Sequence, residues 1–415
     1  MTRRVTSLHV AINAALDPRA AGGVQTNLLA LVDTLPNCME GISPTLLVPM
    51  SIQAAWRTRA HVGIDIAEWP HQLTWYREPA QQSFAKRFRE QLRPPLRWAC
   101  LKHDRELRAL GVNVVHFPYQ LAFATRLPFI YEPWDFQHVH LPEFFSDGER
   151  AWRHAMYGSA CRNSRLVVTA TATTKRDVVE LFGIDPGKVA VIYRDSTIAK
   201  DVPSTTVCNE LVAALGLPPL FAFYPAQAYP HKNHLQLFEA LALLRDSAGI
   251  TVHLACTGRD SANHTPRLKE AVQRLGLSAQ VHFLGAVSEA ELAALYRRAR
   301  MLIFPSLFEG LGLPLLEAMY HELPIAASNV SCIPEVVADA ALLFDPRDPR
   351  SIAEALRRLW ESTELAEQLK SNGRRRRALF SWERAARTMV AAYRYTGGRA
   401  LSSEENLLLQ QALLT

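Results

Sequence analysis

Long hydrophobic runs are missing from this 415-residue sequence: no stretch approaches the roughly 20 apolar residues that a membrane-spanning helix needs. The opening segment, MTRRVTSLHVAIN, is only briefly apolar and predicts a first strand rather than a signal peptide. The six cysteines are scattered, with no Cys-x-x-Cys pair and no cysteine–histidine cluster, so neither a structural zinc nor a disulfide framework is indicated. Together these absences favour a protein of the reducing cytoplasm.

Internal repeats and low-complexity tracts are also absent, and no basic stripe with interleaved aromatic residues is typical of a base-stacking surface. The net charge of +6 permits an anionic substrate, nucleic acid or an acidic membrane face, and does not choose among them. Without a stacking surface, we expect no nucleic-acid partner.

Short apolar runs alternate with longer amphipathic segments along the chain, which predicts an α/β fold with parallel sheets and crossover helices. The length suits two domains. The strand rhythm lapses near 200–206, so we predict domains at 1–203 and 204–376, followed by a last helix and tail at 377–415. The predicted strands are 8–12, 45–48, 112–117, 129–131, 166–169, 189–192, 221–224, 252–256, 281–284, 301–304, 325–327 and 341–344.

The stretch FPSLFEGLGLPLLEAM places a glycine-rich turn between Glu309 and Glu317. Gly310 and Gly312 let a ligand approach the backbone, and the free amides at a helix start bind anions. We place Glu317 in the first turn of that helix. Carboxylates bind paired hydroxyls, so phosphate on the amides and hydroxyls on the acids would suit a nucleotide sugar. The alternative is a tight turn with two solvated glutamates.

Two further stretches add candidate phosphate contacts. In YPAQAYPHKNHLQLF, Lys232 lies just before a helix, where a lysine can bind phosphate as a point charge. In DPRAAGGVQTNLLALV, Gly22 and Gly23 open a helix after the first strand. Each signal is weak alone, because solvated lysines and Gly-Gly turns are common.

In this order, these segments resemble the family 4 glycosyltransferases, which are retaining enzymes. The resemblance includes SNVSCIPEVVADAALLFDPRDP and the terminal FSWERAARTMVAAYR helix, and covers nearly the whole chain. It implies the GT-B fold: two Rossmann-like domains facing across a cleft, with a C-terminal helix that crosses back to the N-terminal domain. The first domain would bind the acceptor and the second the nucleotide sugar.

The resemblance also implies residue roles. Lys232 would hold the donor diphosphate, Glu317 the ribose hydroxyls and Glu309 the transferred sugar. Backbone groups of Gly22 and Gly23 would approach the diphosphate from the other wall. The amides that would hold phosphate and donor sugar belong to Gly310, Leu311, Gly312 and Leu313.

Two positions depart from the family pattern. Gln227 stands where the family usually has an arginine, so either Lys232 does more or another base, such as His231, helps. In IYEPWDFQHVHLPEFF, Trp134-Asp135 replaces the common His-Asp pair. Asp135 and His138 are our catalytic candidates in this loop, the alternative being a histidine that only packs the loop.

The reaction implied is transfer of a hexose, with mannose from GDP-mannose as the first choice, to a glycan or lipid-linked acceptor in bacterial cell-envelope polysaccharide synthesis. No Asp-x-Asp motif is present, so we expect no metal and no other cofactor. The alternatives are a nucleotide-sugar epimerase or phosphorylase on the same fold, and a non-catalytic sugar-nucleotide-binding protein.

The segment 84–102 is basic and carries Phe84, Phe88 and Trp98 among its lysines and arginines. Each basic side chain near an anionic leaflet contributes about 1 kcal/mol, which predicts a peripheral membrane contact. Pro94-Pro95 interrupts the segment, which weakens the case for one interfacial helix. The alternative is a solvated connector whose apolar residues pack inward.

Overall fold

The computed structural model describes residues 7–20, 22–59, 63–69, 101–197, 203–259 and 264–415. The chain forms two compact units. One comprises Met1–Arg194 together with Ser381–Thr415, and the other comprises Asp195–Phe380. The segment 84–102 lies, apart from its last two residues, outside the described residues.

The first unit is built on a parallel sheet in the order β3-β2-β1-β4-β5-β6-β7, counted over the described residues. Its strands run almost entirely through buried residues, as expected of a parallel sheet covered on both faces. They are β1 (Leu8–Asn13), β2 (Ile42–Val48), β3 (Asp65–Glu68), β4 (Val114–Phe117), β5 (Phe129–Tyr131), β6 (Leu166–Thr169) and β7 (Val189–Val191).

Helices cover both faces of this sheet. They are α1 (Gly23–Thr34), α2 (Met50–Arg57), α3 (Leu101–Ala109), α4 (Gln137–His140), α5 (Asp147–Asn163), α6 (Ala172–Phe182), and, from the far end of the chain, α15 (Trp382–Thr396) and α16 (Ser403–Leu414). Val10 of β1 belongs to one hydrophobic cluster and its neighbour Ala11 to another, because successive side chains point to opposite faces.

The returning helix α15 contributes Met389, Val390 and Tyr393 to the first of these clusters, together with Val10. Ser381 caps the start of the helix by accepting a hydrogen bond from the Arg384 amide. The predicted return of the terminal helix to the N-terminal domain is therefore confirmed.

A buried polar network joins α15 to the sheet. His116 on β4 lies 2.8 Å from the Tyr393 hydroxyl through Nδ1 and 2.7 Å from Glu132 Oε1 through Nε2. Arg194 donates to the other oxygen of Glu132 and stacks on Trp134, with its Cζ 5.3 Å from the ring centroid. Each buried charge in this network thus has a charged or hydrogen-bonding partner.

The second unit is built on a parallel sheet in the order β10-β9-β8-β11-β12-β13, again counted over the described residues. Its strands are β8 (Ala222–Pro225), β9 (Leu254–Thr257), β10 (Val281–Gly285), β11 (Met301–Phe304), β12 (Ile325–Ser328) and β13 (Ala341–Phe344). Its helices are α7 (Thr205–Ala214), α8 (His234–Ala248), α9 (Thr265–Arg274), α10 (Glu289–Arg298), α11 (Leu313–Tyr320), α12 (Ile333–Val337), α13 (Pro349–Glu361) and α14 (Thr363–Arg377).

The two parallel sheets with their crossover helices confirm the predicted α/β fold class, and each predicted strand has a counterpart within a few residues. Only β3, among the described strands, was not predicted. Its sequence Asp-Ile-Ala-Glu is short and carries charged ends, as edge strands often do. It therefore gives no hydrophobic run for sequence reasoning to detect.

Candidate functional site

The glycine-rich turn lies at the carboxyl edge of the second sheet, between β11 and α11. Gly312 is the N-cap residue of α11 and has φ +77, a left-handed conformation that glycine adopts without strain. A Cβ atom added there would lie 2.9 Å from Leu315 Cδ1. The amides of Leu311, Gly312 and Leu313 donate to no group among the described residues, which leaves them available to an anion.

Lys232 and Glu309 meet at this edge. Lys232 Nζ lies 2.6 Å from Glu309 Oε1, and the two side chains are 17% and 12% exposed. The lysine ends a short 3₁₀ turn, Pro230–Lys232, that follows β8. A partly buried ion pair of this kind leaves both charges close to any ligand that reaches the turn.

Asn233 holds the lysine turn in place. It has φ 62, and its Nδ2 donates to the carbonyls of Pro305 at 3.0 Å and Pro346 at 2.7 Å. One side chain thus connects the loops that follow β8, β11 and β13. Tyr224 adds a hydrogen bond from its hydroxyl to the Lys232 carbonyl at 2.6 Å. Sequence reasoning missed Asn233, although asparagine is one of the few residues that tolerate a left-handed conformation.

Ser331 fixes the backbone of Glu309. Its hydroxyl accepts from the Glu309 amide at 3.2 Å and donates to the Glu309 carbonyl at 2.7 Å. The neighbouring Cys332 thiol donates to the same carbonyl at 3.1 Å. Ser331 was also missed, because nothing local in SNVSCIPEVV shows that it reaches the glycine turn.

Glu317 lies half-buried on α11, which follows the turn. Ser196 donates to its Oε1 at 3.1 Å and Tyr296 donates to its Oε2 at 2.5 Å. Burial raises the pKa of the Glu317 carboxyl above its usual value, although both hydrogen bonds oppose this shift. The placement of Glu317 in the first helical turn is wrong: α11 begins at Leu313 and has no acidic residue in its first turn.

Gln227 lies in the loop after β8, where its carbonyl accepts from the Tyr229 amide at 2.8 Å. Gly258, after β9, approaches this loop closely. It has φ +129, and an added Cβ would lie 2.7 Å from the Ala226 carbonyl oxygen and 2.8 Å from the Gln227 nitrogen. Any side chain at Gly258 would therefore displace the segment that carries Gln227.

His231 stands beside Lys232 in the same 3₁₀ turn. Burial and the neighbouring Lys232 lower the pKa of its imidazole to about 4. Its ring stacks on Tyr229 at 5.9 Å, and its carbonyl accepts from the Leu307 amide at 2.8 Å. Its carbonyl thus connects the lysine turn with the loop that follows β11 and leads into the glycine turn.

The remaining candidates belong to the first unit. Gly22 is the N-cap of α1, and Gly23 begins the helix directly after the loop that follows β1. Asp135 precedes α4, where its Oδ1 accepts from the Gln137 amide at 3.3 Å. His138 is only 1% exposed, and its ring packs 5.3 Å from that of Tyr157.

Neither ring nitrogen of His138 has a hydrogen-bond partner among the described residues. Burial and Arg153 lower the pKa of its imidazole to about 4. Two residues further on, His140 is more exposed and lies 2.9 Å from Asp177 Oδ1. The roles of Gly22, Gly23, Asp135 and His138 in catalysis or binding stay predictions.

Over the described part of the chain, no three His, Cys, Asp or Glu side chains group as they would around a metal ion. In that same part, no helix is both long enough and apolar enough to span a membrane.

Comparison with known proteins gives two domain families. Residues 21–194 match the model described as "Glycosyltransferase Family 4", and residues 213–376 match "Glycosyl transferases group 1". Among curated relatives, O-antigen chain mannosyltransferase B of Escherichia coli is 26% identical, over 61% of this chain and 66% of its own length. MMP alpha-(1->4)-mannosyltransferase of Mycolicibacterium hassiacum is 37% identical, over 55% of this chain and 53% of its own. The chain thus spans between about half and two thirds of these relatives.

Solved structures match over nearly the whole chain. Sucrose-phosphate synthase from Thermosynechococcus elongatus has a TM-score of 0.70 at 20% identity, covering 94% of this chain and 98% of that one. Anabaena HepE, in complex with UDP and glucose, has a TM-score of 0.69 at 17% identity, covering 93% and 99%. At such identities the likeness concerns the fold, which is GT-B. With both of its domains matched to these models, the chain belongs to glycosyltransferase family 4 and is mannosyltransferase-like.

Proposed function

We propose that this protein is a retaining glycosyltransferase that moves a hexose from a nucleoside-diphosphate sugar to a hydroxyl group. The observation that carries the proposal is the Lys232–Glu309 pair, 2.6 Å apart beside a glycine turn whose Leu311, Gly312 and Leu313 amides donate to no described residue. The proposed donor is GDP-mannose, since several relatives of this protein are named mannosyltransferases. The proposed acceptor is a glycan or lipid-linked glycan of the bacterial cell envelope, met in the cytoplasm.

Donor binding would begin with the diphosphate. Lys232 offers one positive charge, and the amides of Leu311, Gly312 and Leu313 offer donors at a helix start whose partial charge is positive. Lys232 is paired with Glu309 before the donor arrives, so binding would exchange that partner for a phosphate oxygen. Glu309 would then be free to accept from hydroxyls of the transferred sugar.

Glu317 would receive the ribose. Its two oxygens accept from Ser196 and Tyr296, and each carboxylate oxygen has a second lone pair for a ribose hydroxyl. The two hydrogen bonds hold the carboxylate in one orientation before the donor binds. Such preorganisation reduces the ordering cost of binding.

The chemical step needs stabilisation of the departing diphosphate and of an oxocarbenium-like sugar. Positioned amide donors and one lysine stabilise the negative charge that develops on the departing diphosphate, without a protein nucleophile. The negative charge of the departing diphosphate, next to the sugar, stabilises the oxocarbenium-like centre. In the scheme that we propose, the leaving phosphate oxygen takes the acceptor proton. The acceptor must then attack from the same face of the sugar that the diphosphate leaves, so the anomeric configuration is retained. We propose that no metal is needed, since Lys232 and the amides neutralise the diphosphate.

A screen of purified protein against nucleotide sugars tests the proposal. We expect GDP-mannose to bind and to be turned over with a glycan acceptor, and activity to survive excess EDTA. Release of GDP without any glycoside product would contradict the proposed transfer to an acceptor. A requirement for Mg²⁺ or Mn²⁺ would contradict the proposed metal independence.

A second candidate is a sugar-nucleotide-binding protein without turnover. Gln227 in place of a cation favours it, as does the burial of His138 among aromatic rings. It predicts that the donor binds, that no acceptor is glycosylated, and that Gln227→Arg does not create activity. Detectable transfer by the wild-type protein excludes it.

A further inference from the structure

A separate cavity of about 200 Å³ lies at the opposite, amino edge of the second sheet. Its lining includes residues one or two positions before β8, β11 and β12, namely Leu220, Arg300 and Pro324, and the start of α14. The carboxyl edge of the same sheet carries Lys232 and Glu309, so the two sites are distinct. The cavity is smaller than the ~300–1,000 Å³ of pockets for drug-sized ligands, which limits it to a small molecule.

His321 lines this cavity and is 8% exposed, yet neither ring nitrogen has a hydrogen-bond partner among the described residues. Leaving a buried polar group unpaired costs roughly 1–3 kcal/mol, so a partner from outside the protein is expected. A neutral imidazole has one N–H that donates and one nitrogen that accepts. The missing partner must therefore offer both an acceptor and a donor.

The charge balance of the lining favours an anion. Its two carboxylates are already paired, Glu367 with Lys370 and Glu322 with Arg374, each at 2.7 Å. The Arg300 guanidinium donates to the Trp360 carbonyl. Neither Arg297 nor Arg300 has a carboxylate partner within the described residues, so these two arginines carry the surplus positive charge of the lining. Burial lowers the pKa of the His321 imidazole to about 4, and the positive charge of Arg297 contributes to the same shift.

The cavity is connected to the proposed donor site through one aromatic ring. Tyr296 stacks on His321 with the ring centroids 5.3 Å apart and the planes at 9°. The hydroxyl of the same tyrosine donates to Glu317 Oε2 at 2.5 Å. A molecule that fixes His321 therefore also fixes the group that orients Glu317.

We propose that this cavity binds a small phosphate monoester that carries hydroxyl groups, and that its binding strengthens donor binding through Tyr296 and Glu317. The phosphate oxygens accept from Arg297 and from the His321 N–H, and a ligand hydroxyl donates to the second ring nitrogen. The coupling, but not the binding, rests on the proposed role of Glu317 in holding the donor. Couplings of this kind are worth several-fold in affinity, and we expect about a fivefold tighter donor.

Nuclear magnetic resonance of the histidine side chains tests the binding, with glycerol 3-phosphate as the probe and glycerol as the phosphate-free control. The His321 signals, identified by their loss in His321→Phe, should shift in a saturable way with the phosphate ester only. The shift should disappear in Arg297→Gln and persist in the matched control Arg298→Gln, which changes the neighbouring exposed arginine outside the cavity. It should also persist in Lys232→Gln, which excludes binding at the donor site as its cause.

A His321 signal that stays fixed, or that moves equally in Arg297→Gln, overturns the proposed site and leaves only an ordered water as the partner of His321.

The coupling is tested by calorimetric titration of GDP-mannose with and without glycerol 3-phosphate. Tyr296→Phe keeps the ring and removes the hydroxyl, so it should retain the His321 shift and lose the gain in donor affinity. Unchanged or weaker donor binding in the wild type overturns the coupling. If no nucleotide sugar binds at all, the proposed function fails. The His321 shift then still shows whether the cavity binds the phosphate ester.

Discussion

Lys232 Nζ lies 2.6 Å from Glu309 Oε1, so the two principal charges of the candidate donor site neutralise each other. The lysine follows β8 and the glutamate follows β11, and these strands are neighbours in the sheet. Parallel strands bring their carboxyl ends to one edge, where α/β proteins commonly bind ligands. A diphosphate must compete with Glu309 for the lysine, which makes donor binding an exchange of partners.

Replacing the lysine should weaken binding of the diphosphate. In Lys232→Gln we expect a loss of about 1.5–3 kcal/mol in GDP affinity, the range for hydrogen bonds to charged groups. Calorimetric titration measures it. Lys269→Gln, at an exposed position outside the site, is the matched control and should bind as the wild type does. Equal GDP affinities of the wild type, Lys232→Gln and Lys269→Gln would show that Lys232 does not bind the diphosphate.

The two glutamates should separate in their effects. Glu317→Ala removes the acceptor for ribose hydroxyls and should raise the Kd of the donor. Glu309→Ala should mainly slow turnover, because its carboxylate is placed to meet the transferred sugar. Donor titrations combined with steady-state rates distinguish the two. Unchanged kinetics in both variants would show that the assigned roles are wrong.

Gly312→Ala should damage the anion-binding turn. Alanine at φ +77 is strained by about 1–2 kcal/mol, and its Cβ would also press on Leu315 Cδ1 at 2.9 Å. We expect weaker GDP binding together with lower stability. Gly183→Ala is a matched control, because φ is +63 there and no atom lies within 4 Å of the added Cβ. It should lose the stability that the backbone strain costs, without the added contact at Leu315, and keep donor affinity. An equal loss of affinity in both would point to a global effect.

The buried pair of Glu132 and Arg194 should make the first unit sensitive to acid. Burial raises the pKa of Glu132, but Arg194 and His116 outweigh it and hold the pKa below its usual value. A carboxyl whose pKa is lower in the folded state stabilises the protein above its unfolded pKa. That stability is lost as pH falls through the folded value.

Glu132→Gln would leave Arg194 buried without its counter-ion, which should cost about 3–5 kcal/mol near neutral pH. The deficit should shrink as pH falls, because the wild-type carboxyl becomes protonated. Urea unfolding over a pH series measures it. The control Glu354→Gln breaks an exposed pair with Arg357 and should cost at most about 1 kcal/mol. A deficit independent of pH would contradict the assigned charge state.

Sequence patterns predicted the sheets and the glycine turn because those depend on local hydrophobic runs and on glycine itself. They did not predict Asn233 or Ser331, whose side chains bridge loops that are distant along the chain. The hydrogen-bond partners of Glu317 were not predicted either, because Ser196 lies 121 positions before it and Tyr296 lies on another helix. Its place on α11 was misjudged because the helix begins at Leu313, which puts Glu317 beyond the first turn.

The first unit draws on both ends of the chain, since Ser381–Thr415 packs with Met1–Arg194. A ribosome must therefore finish the second unit before it can deliver α15. Until then, nascent β4 displays His116 without Tyr393, and the apolar surface that Met389 and Val390 later cover stays open. Domains otherwise tend to fold from the N-terminus during synthesis. In this chain the first unit can complete its core only after the second unit has been synthesised, and a premature stop codon anywhere before α15 would release a first unit that lacks the residues α15 adds to that core.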